Sequence, residues 1–249
     1  MIGAVLALWR VLRVILHLLQ GMALMALLFP RLDAAGRHRH IARWSRGLLR
    51  ALGLTVNVRG EKRPGASLLI ANHVSWLDIA ALHAAVPQAR FVSKADVRHW
   101  PLVGWLVAGA GTLFIERERK RDALRVVHAM AEALQAGETV AVFPEGTTGP
   151  GPELLPFHAN LLQAAIATAT PIQPAVLRFS QPGEAFSTAA QYIGDTTLVQ
   201  SIWRIASARG LRVQVDLLPS QATAHADRRA LADTLRGLIS DHLAQSARG

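Results

Sequence analysis

No cysteine occurs among the 249 residues, which excludes disulfides, thiol nucleophiles and cysteine-ligated metals. Acidic side chains are also scarce, with 17 Asp and Glu against 27 Lys and Arg and a formal net charge of +10. That imbalance calls for an anionic partner, and charge alone leaves nucleic acid, anionic lipid and a phosphorylated substrate open. Arginine supplies most of the cations. Its planar guanidinium grips phosphate through paired hydrogen bonds and tolerates an interface better than an ammonium does. Internal repeats, low-complexity tracts and long linkers are lacking, so the chain reads as one domain of ordinary size with a short N-terminal appendage.

Apolar residues, by contrast, make up 51% of the chain, and much of the excess sits in the first thirty positions. Val14 to Pro30 is interrupted only by His17 and Gln20, and Met1 to Arg13 is apolar apart from Arg10 and Arg13. A helix needs about 20 apolar residues to cross a bilayer. The run meets that marginally and predicts an uncleaved anchor that spans the membrane or dips into one leaflet. A cleaved signal peptide fits less well, because no basic residue precedes the first apolar stretch and no Ala-x-Ala site follows the second. Beyond Pro30, Arg39, Arg43, Arg46 and Arg50 recur at helical spacing, while Ile41, Trp44, Leu48 and Leu49 fall largely elsewhere on the helix. Arginines beside an anchor predict an inner-membrane protein whose main domain faces the cytoplasm. Residues 1–50 are thus expected to form the anchor and basic interfacial helix, and residues 51–249 the domain itself.

From residue 54 onward, short β-rich runs alternate with helical ones. Strands are expected at Leu54 to Val58, Ser67 to Ala71, Arg90 to Ser93, Thr112 to Ile115, Thr139 to Phe143, Ile172 to Phe179 and Leu211 to Leu218. Helices are expected at Trp76 to Val86, Lys120 to Gln135, Ala159 to Thr168, Leu198 to Ala208 and Asp227 to Ala244. The alternation predicts an α/β domain with a mixed, largely parallel sheet flanked by helices, and a site at the strand ends. Trp100, Trp105 and Leu106 are expected to pack in the core.

The segment from Asn72 to Asp78 sits where an apolar strand gives way to a helix. Five positions apart across such a turn, the His73 imidazole and the Asp78 carboxylate can meet. A carboxylate on one ring nitrogen fixes the tautomer and leaves the other nitrogen as a base. Taken alone, the pair would equally suit a helix cap. Ser75 is the adjacent hydroxyl, but the Gly-x-Ser-x-Gly elbow of a serine hydrolase is missing. Gly111 to Arg117 and Phe143 to Gly149 each carry a strand outward, to an arginine and to a Gly/Thr turn, and such ends offer groups that suit a phosphate.

These blocks, together with the hydrophobic-Pro element at Ile172 to Val176, resemble the glycerolipid acyltransferase family typified by 1-acylglycerol-3-phosphate acyltransferases, in order and spacing across roughly residues 50 to 220. The resemblance implies that His73, oriented by Asp78, deprotonates an acceptor hydroxyl, which attacks an acyl thioester without an acyl-enzyme. It implies an acceptor site lined by Glu116, Arg117, Glu145, Gly146 and Thr147, with Arg117 on a phosphate, Lys94 sharing that load and Pro174 shaping the pocket. It implies no cofactor and no metal, coenzyme A or acyl carrier protein as the thioester carrier, and a lysophospholipid acceptor converted to phosphatidic acid. One position departs from the pattern. Many members carry arginine where this chain has Thr148, which admits a phosphate-poor acceptor such as a lyso-ornithine lipid. Two other classes stand beside this reading. A non-catalytic basic membrane-surface or nucleic-acid-binding protein leaves the blocks unexplained and shows no nucleic-acid module, and an esterase lacks the nucleophile elbow.

Overall fold

The computed structural model describes residues 2–99, 103–115 and 120–247. Its first helix, α1 (Ile2–Leu27), is unbroken. No proline precedes Pro30, which falls in the short 3-10 turn Phe29–Arg31 that ends the helix. Asp33 then caps α2 (Ala34–Ala51), its side chain accepting the Gly36 amide at 2.7 Å. Along α2, Arg39, Arg43, Arg46 and Arg50 are exposed while Ala42, Ser45, Leu48 and Leu49 are buried.

Seven strands follow: β1 (Thr55–Arg59), β2 (Ser67–Ala71), β3 (Ala89–Lys94), β4 (Leu113–Ile115), β5 (Thr139–Val142), β6 (Ile172–Ser180) and β7 (Arg212–Leu217). They form one sheet in the order β1-β7-β6-β2-β5-β3-β4. Every neighbouring pair is parallel except β6 and β7, so the sheet is mixed and largely parallel as expected. β2, near its centre, is buried along its whole length, and its alternation splits the core in two. Leu69 and Ala71 join a cluster with α2, α3 (Leu77–Ala85) and α7 (Leu198–Ser207). Leu68 and Ile70 join another with α5 (Lys120–Gln135), α6 (Gln163–Ala167) and α8 (Arg228–Ser246). A strand covered on both faces reads as a continuous apolar run, which is how Ser67 to Ala71 appears in the sequence.

The expected strands and helices are present, their ends displaced by one or two residues, with two differences. Ala159 to Thr168 opens as a 3-10 turn over Ala159–Leu162 before α6 begins. Between β3 and β4 a short helix, α4 (Val103–Gly109), was not expected, because seven residues offer no periodicity to read. On α4, Trp105 is 47% exposed rather than in the core, Leu106 lines an apolar crevice with Leu24, Phe29 and Trp44, and Trp100 lies outside the described residues. The topology brings the C-terminal ends of β2, β5, β3 and β4 side by side, although they are far apart in sequence.

His83, on α3, is buried, and its Nε2–H donates to the Ala89 carbonyl at 3.0 Å. Burial pulls its pKa from 6.5 down to about 4, against the opposing hydrogen bond to Ala89 and with a smaller push from His38. Between those values the unfolded chain binds a proton that the folded chain refuses. Stability is therefore full above pH 6.5 and falls by up to about 3 kcal/mol as the pH drops toward 4. Thermal unfolding midpoints taken across that window should fall more steeply for the wild type than for His83→Gln. Parallel curves would remove His83 as the responsible group.

Candidate active site

The loop after β2 is held by partners from four other segments. Asn72 continues the strand ladder with its side chain: Nδ2 donates to the Leu177 carbonyl and Oδ1 accepts the Leu177 amide, each at 2.8 Å. Glu145 Oε1 accepts the His73 amide at 2.7 Å, the Gly149 amide donates to the His73 carbonyl at 2.7 Å, and the Tyr192 amide donates to the Val74 carbonyl at 3.0 Å. Trp76 ties the same loop to α7 by donating its indole N–H to Ser201 at 3.1 Å.

Asp78 lies in the first turn of α3 and is fully buried. Its Oδ2 accepts from His73 Nδ1 at 2.7 Å and from the Val74 and Ser75 amides at 2.7 and 2.9 Å. A carboxylate only accepts, so Nδ1 carries the imidazole proton and Nε2 keeps its lone pair. The ring of Phe143 stacks on that imidazole, centroids 4.0 Å apart and planes 10° from parallel, with Phe91 stacked behind Phe143 at 5.9 Å. Carboxylate and aromatic face together leave the imidazole one orientation. It borders a cleft of about 160 Å³ lined also by Phe91, Ser93, Phe143, Gly146 and Leu161. Ser75 is wholly buried, so its hydroxyl is withheld from any substrate.

The other expected residues fall at neighbouring strand ends, in different circumstances. Glu145, 4% exposed, spends both oxygens on backbone: Oε1 on His73 as above and Oε2 on the Leu155 amide at 2.8 Å. Burial raises its pKa, opposed by those two amides. Its carboxylate thus holds the loop that carries His73, whereas the resemblance implied a place on the acceptor. Gly146 lines the cleft at φ +73, closing a turn through its amide to the Phe143 carbonyl at 3.1 Å. A Cβ there would come within 2.8 Å of the His158 ring, so glycine is required both by conformation and by space. Thr147 is exposed beyond this turn. Thr148 donates its hydroxyl to the Tyr192 carbonyl. Lys94 ends β3 in register with Ile115, the last residue of β4, which places its backbone beside the segment that leads to Glu116 and Arg117. Those two residues lie outside the described residues. Pro174 is buried within β6, opposite Ile70. Among the described residues no three His, Asp or Glu side chains converge as metal ligands.

Three contributors were not read from the sequence as parts of the site. Phe143 was quoted within its block, but stacking on His73 depends on β2 and β5 being neighbours. His158 and Tyr192 are brought in by loops with no signal of their own. Asn72 did carry a clue, being a polar residue at the end of an apolar strand.

An α/β domain here presents a carboxylate-held imidazole at its strand ends, beside a wholly buried serine, an arrangement chemically suited to taking a proton from a bound hydroxyl. Comparison with known proteins gives the chemistry. A model of the acyltransferase family matches residues 55–178. A 1-acyl-sn-glycerol-3-phosphate acyltransferase of Neisseria meningitidis serogroup B is 37% identical over 213 residues, covering 82% of each chain. A lyso-ornithine lipid O-acyltransferase of Pseudomonas aeruginosa is 37% identical over 204 residues, covering 82% of this chain and 78% of that one. The crystal structure of the 1-acyl-sn-glycerophosphate acyltransferase PlsC from Thermotoga maritima superposes with a TM-score of 0.71 over 98% of this chain and 95% of that one, at 17% identity, and so shows the shared fold. The chain belongs to the acyltransferase family, as a glycerolipid acyltransferase of the 1-acylglycerol-3-phosphate acyltransferase type.

Glu145→Gln puts an amide N–H₂ against one of the two backbone donors, a loss of about 1–3 kcal/mol at a buried site. The displaced imidazole should lower kcat about ten- to a hundredfold, with the acceptor KM within about twofold. A large rise in KM at unchanged thermal stability would instead make Glu145 an acceptor ligand.

Proposed function

We propose that this chain transfers a fatty acyl group from an acyl thioester, carried by coenzyme A or acyl carrier protein, to the free hydroxyl of 1-acylglycerol-3-phosphate, forming phosphatidic acid. The observation that carries this reading is the 2.7 Å contact of His73 Nδ1 with Asp78, which leaves Nε2 as a base bordering the cleft. Nε2 takes the acceptor hydroxyl's proton as the oxygen attacks the thioester carbonyl, and the tetrahedral adduct expels the thiolate. The proton held on His73 then passes to the departing sulfur. Asp78 stabilises the imidazolium formed in between. Arg117 and Lys94, at the ends of the adjacent strands β4 and β3, are the cations proposed for the acceptor phosphate, with Gly146 and Thr147 at the turn after β5.

Thr148 supports a second acceptor, a lyso-ornithine lipid. Its hydroxyl is engaged with the Tyr192 carbonyl, so this position adds no cation to the site. The arginine-rich composition and Arg117 favour the phosphate acceptor.

The anchor is proposed to lie along the cytoplasmic face of the inner membrane. Over Gly3–Arg31 the chain is apolar enough to cross a bilayer, and most of its most apolar stretch is not buried in the protein. Yet it contacts the domain along its length. Arg10 donates to the Ala206 and Ala208 carbonyls, His17 Nε2 donates to the Trp44 carbonyl at 2.8 Å, and Met25 packs on Gly109. Arg10 to Met25 covers about 22 Å of helix axis. A spanning pose would draw α2, with its exposed arginines, into hydrocarbon at high cost.

Detergent-purified protein given a labelled acyl thioester should acylate lysophosphatidic acid in preference to lyso-ornithine lipid, and His73→Ala should lose about a hundred- to ten-thousandfold in rate. Preference for the ornithine acceptor would shift the assignment to the second reading. Wild-type turnover by folded His73→Ala would end both.

A further inference from the structure

The apolar surface of this molecule does not stop at α1. On α7, Ser201 and Ile205 are buried against the sheet, but Val199 is 77% and Trp203 43% exposed. With Ile202 between them on the helix surface, they continue the apolar arc of α7 well past the part that the core covers. The arc runs into α1: Leu8 and Val11 share one groove of about 600 Å³ with Val199, Ile202 and Trp203. The same helix also exposes Val5, Leu12 and Ile15, 68%, 46% and 49% open to solvent. The two helices are locked together, since Arg10 donates to the Ala206 and Ala208 carbonyls at the C-terminal end of α7. α1 cannot enter a lipid surface without bringing α7 to it.

Exposed tryptophans lie on α1 and on helices that touch it. Trp44 and Trp76 are half-buried, whereas Trp9, Trp105 and Trp203 are 56%, 47% and 43% exposed. These three sit on α1 and on the two domain helices, α4 and α7, that pack against it at either end. Tryptophan favours the boundary between acyl chains and headgroups. Cations edge the patch, with Arg204 and Arg209 exposed near α7 and Arg13 and Arg50 lining a groove between α1 and α2. Exposed apolar side chains rimmed by arginine match an anionic bilayer surface.

We propose that the exposed face of α7, Val199, Ile202 and Trp203, is a second lipid-contact surface, continuous with α1, through which the catalytic domain itself sits on an anionic membrane at a fixed tilt. This rests on the reading of α1 as a helix lying on the membrane. Three points fix a plane, and α1, α4 and α7 would set the angle at which the cleft beside His73 meets the lipid that carries the acceptor hydroxyl.

The absence of cysteine allows single nitroxide labels on Leu12→Cys in α1, Val199→Cys in α7 and Leu124→Cys. Leu124 lies on α5, across the sheet from α7, and at 73% is as exposed as Val199. The full chain is placed on vesicles of mixed phosphatidylglycerol and phosphatidylcholine, and collisions with oxygen and with a water-soluble nickel chelate are compared. The labels at 12 and 199 should favour oxygen and the label at 124 nickel. A label at 199 that behaves like that at 124, while 12 stays in lipid, overturns this inference alone. Labels at 12 and 199 both in water overturn the anchor reading with it. Shielding at 199 with spin–spin broadening that disappears on dilution with unlabelled chain assigns the face to a second copy, and also overturns it. Independently, the double variant Val199→Gln and Trp203→Gln, both positions being exposed, should raise KM for vesicle-borne acceptor roughly tenfold with kcat within about twofold. An unchanged KM counts against the proposal.

Discussion

One carboxylate oxygen holds the site together. Asp78 Oδ2 gathers the His73 ring proton and the Val74 and Ser75 amides within 2.9 Å, at a position with no solvent exposure. A buried charge is costly unless it is met by donors, and here the donors are the chain's own turn out of β2. The charge also lies in the first turn of α3, where the helix dipole favours it. The turn, the helix start and the imidazole orientation are therefore one constraint. Leu177, through Asn72, and Glu145, Gly149 and Tyr192 brace the same turn from β6, from the β5 turn and from the loop before α7. This is why His73 can reside on a loop and still be held in one orientation.

The sheet order gives this constraint its chemistry. β5 lies directly beside β2, so the Phe143 ring lands on His73 and the Glu145 carboxylate reaches under it. β3 and β4 come next in order, with Lys94 closing β3 in register with Ile115 at the end of β4. α1 is tied along the domain by Arg10, His17 and Met25, so α1 and His73 belong to one packed structure.

Much of this was legible in the sequence, for identifiable reasons. β2, β5 and β6 are apolar runs because both faces of the central sheet are covered, and their ends carry the motifs because parallel strands end on one side. His73 and Asp78 were legible because five residues across a strand-to-helix turn can bring them together locally, although distant segments then hold the turn. Glu145 was placed at the acceptor by the family resemblance, which puts a carboxylate near a site without showing which atoms it touches. The stacking of Phe143 and the entry of Tyr192 depend on which strands are neighbours, and sheet order is not written locally. α4 was too short to show a period. The apolar face of α7 had been read simply as a helix, since an arc wider than the core needs can be recognised only once the core is known.

The account turns on which nitrogen of His73 is free. Nitrogen-15 NMR of histidine-labelled protein, with the resonance assigned by its loss in His73→Ala, reads the tautomer directly. Nδ1 protonated, with Nε2 showing the shift of an unprotonated imidazole nitrogen, is the predicted result. A neutral ring with its proton on Nε2 would contradict the account, because the nitrogen left to accept a proton would then be the one facing Asp78.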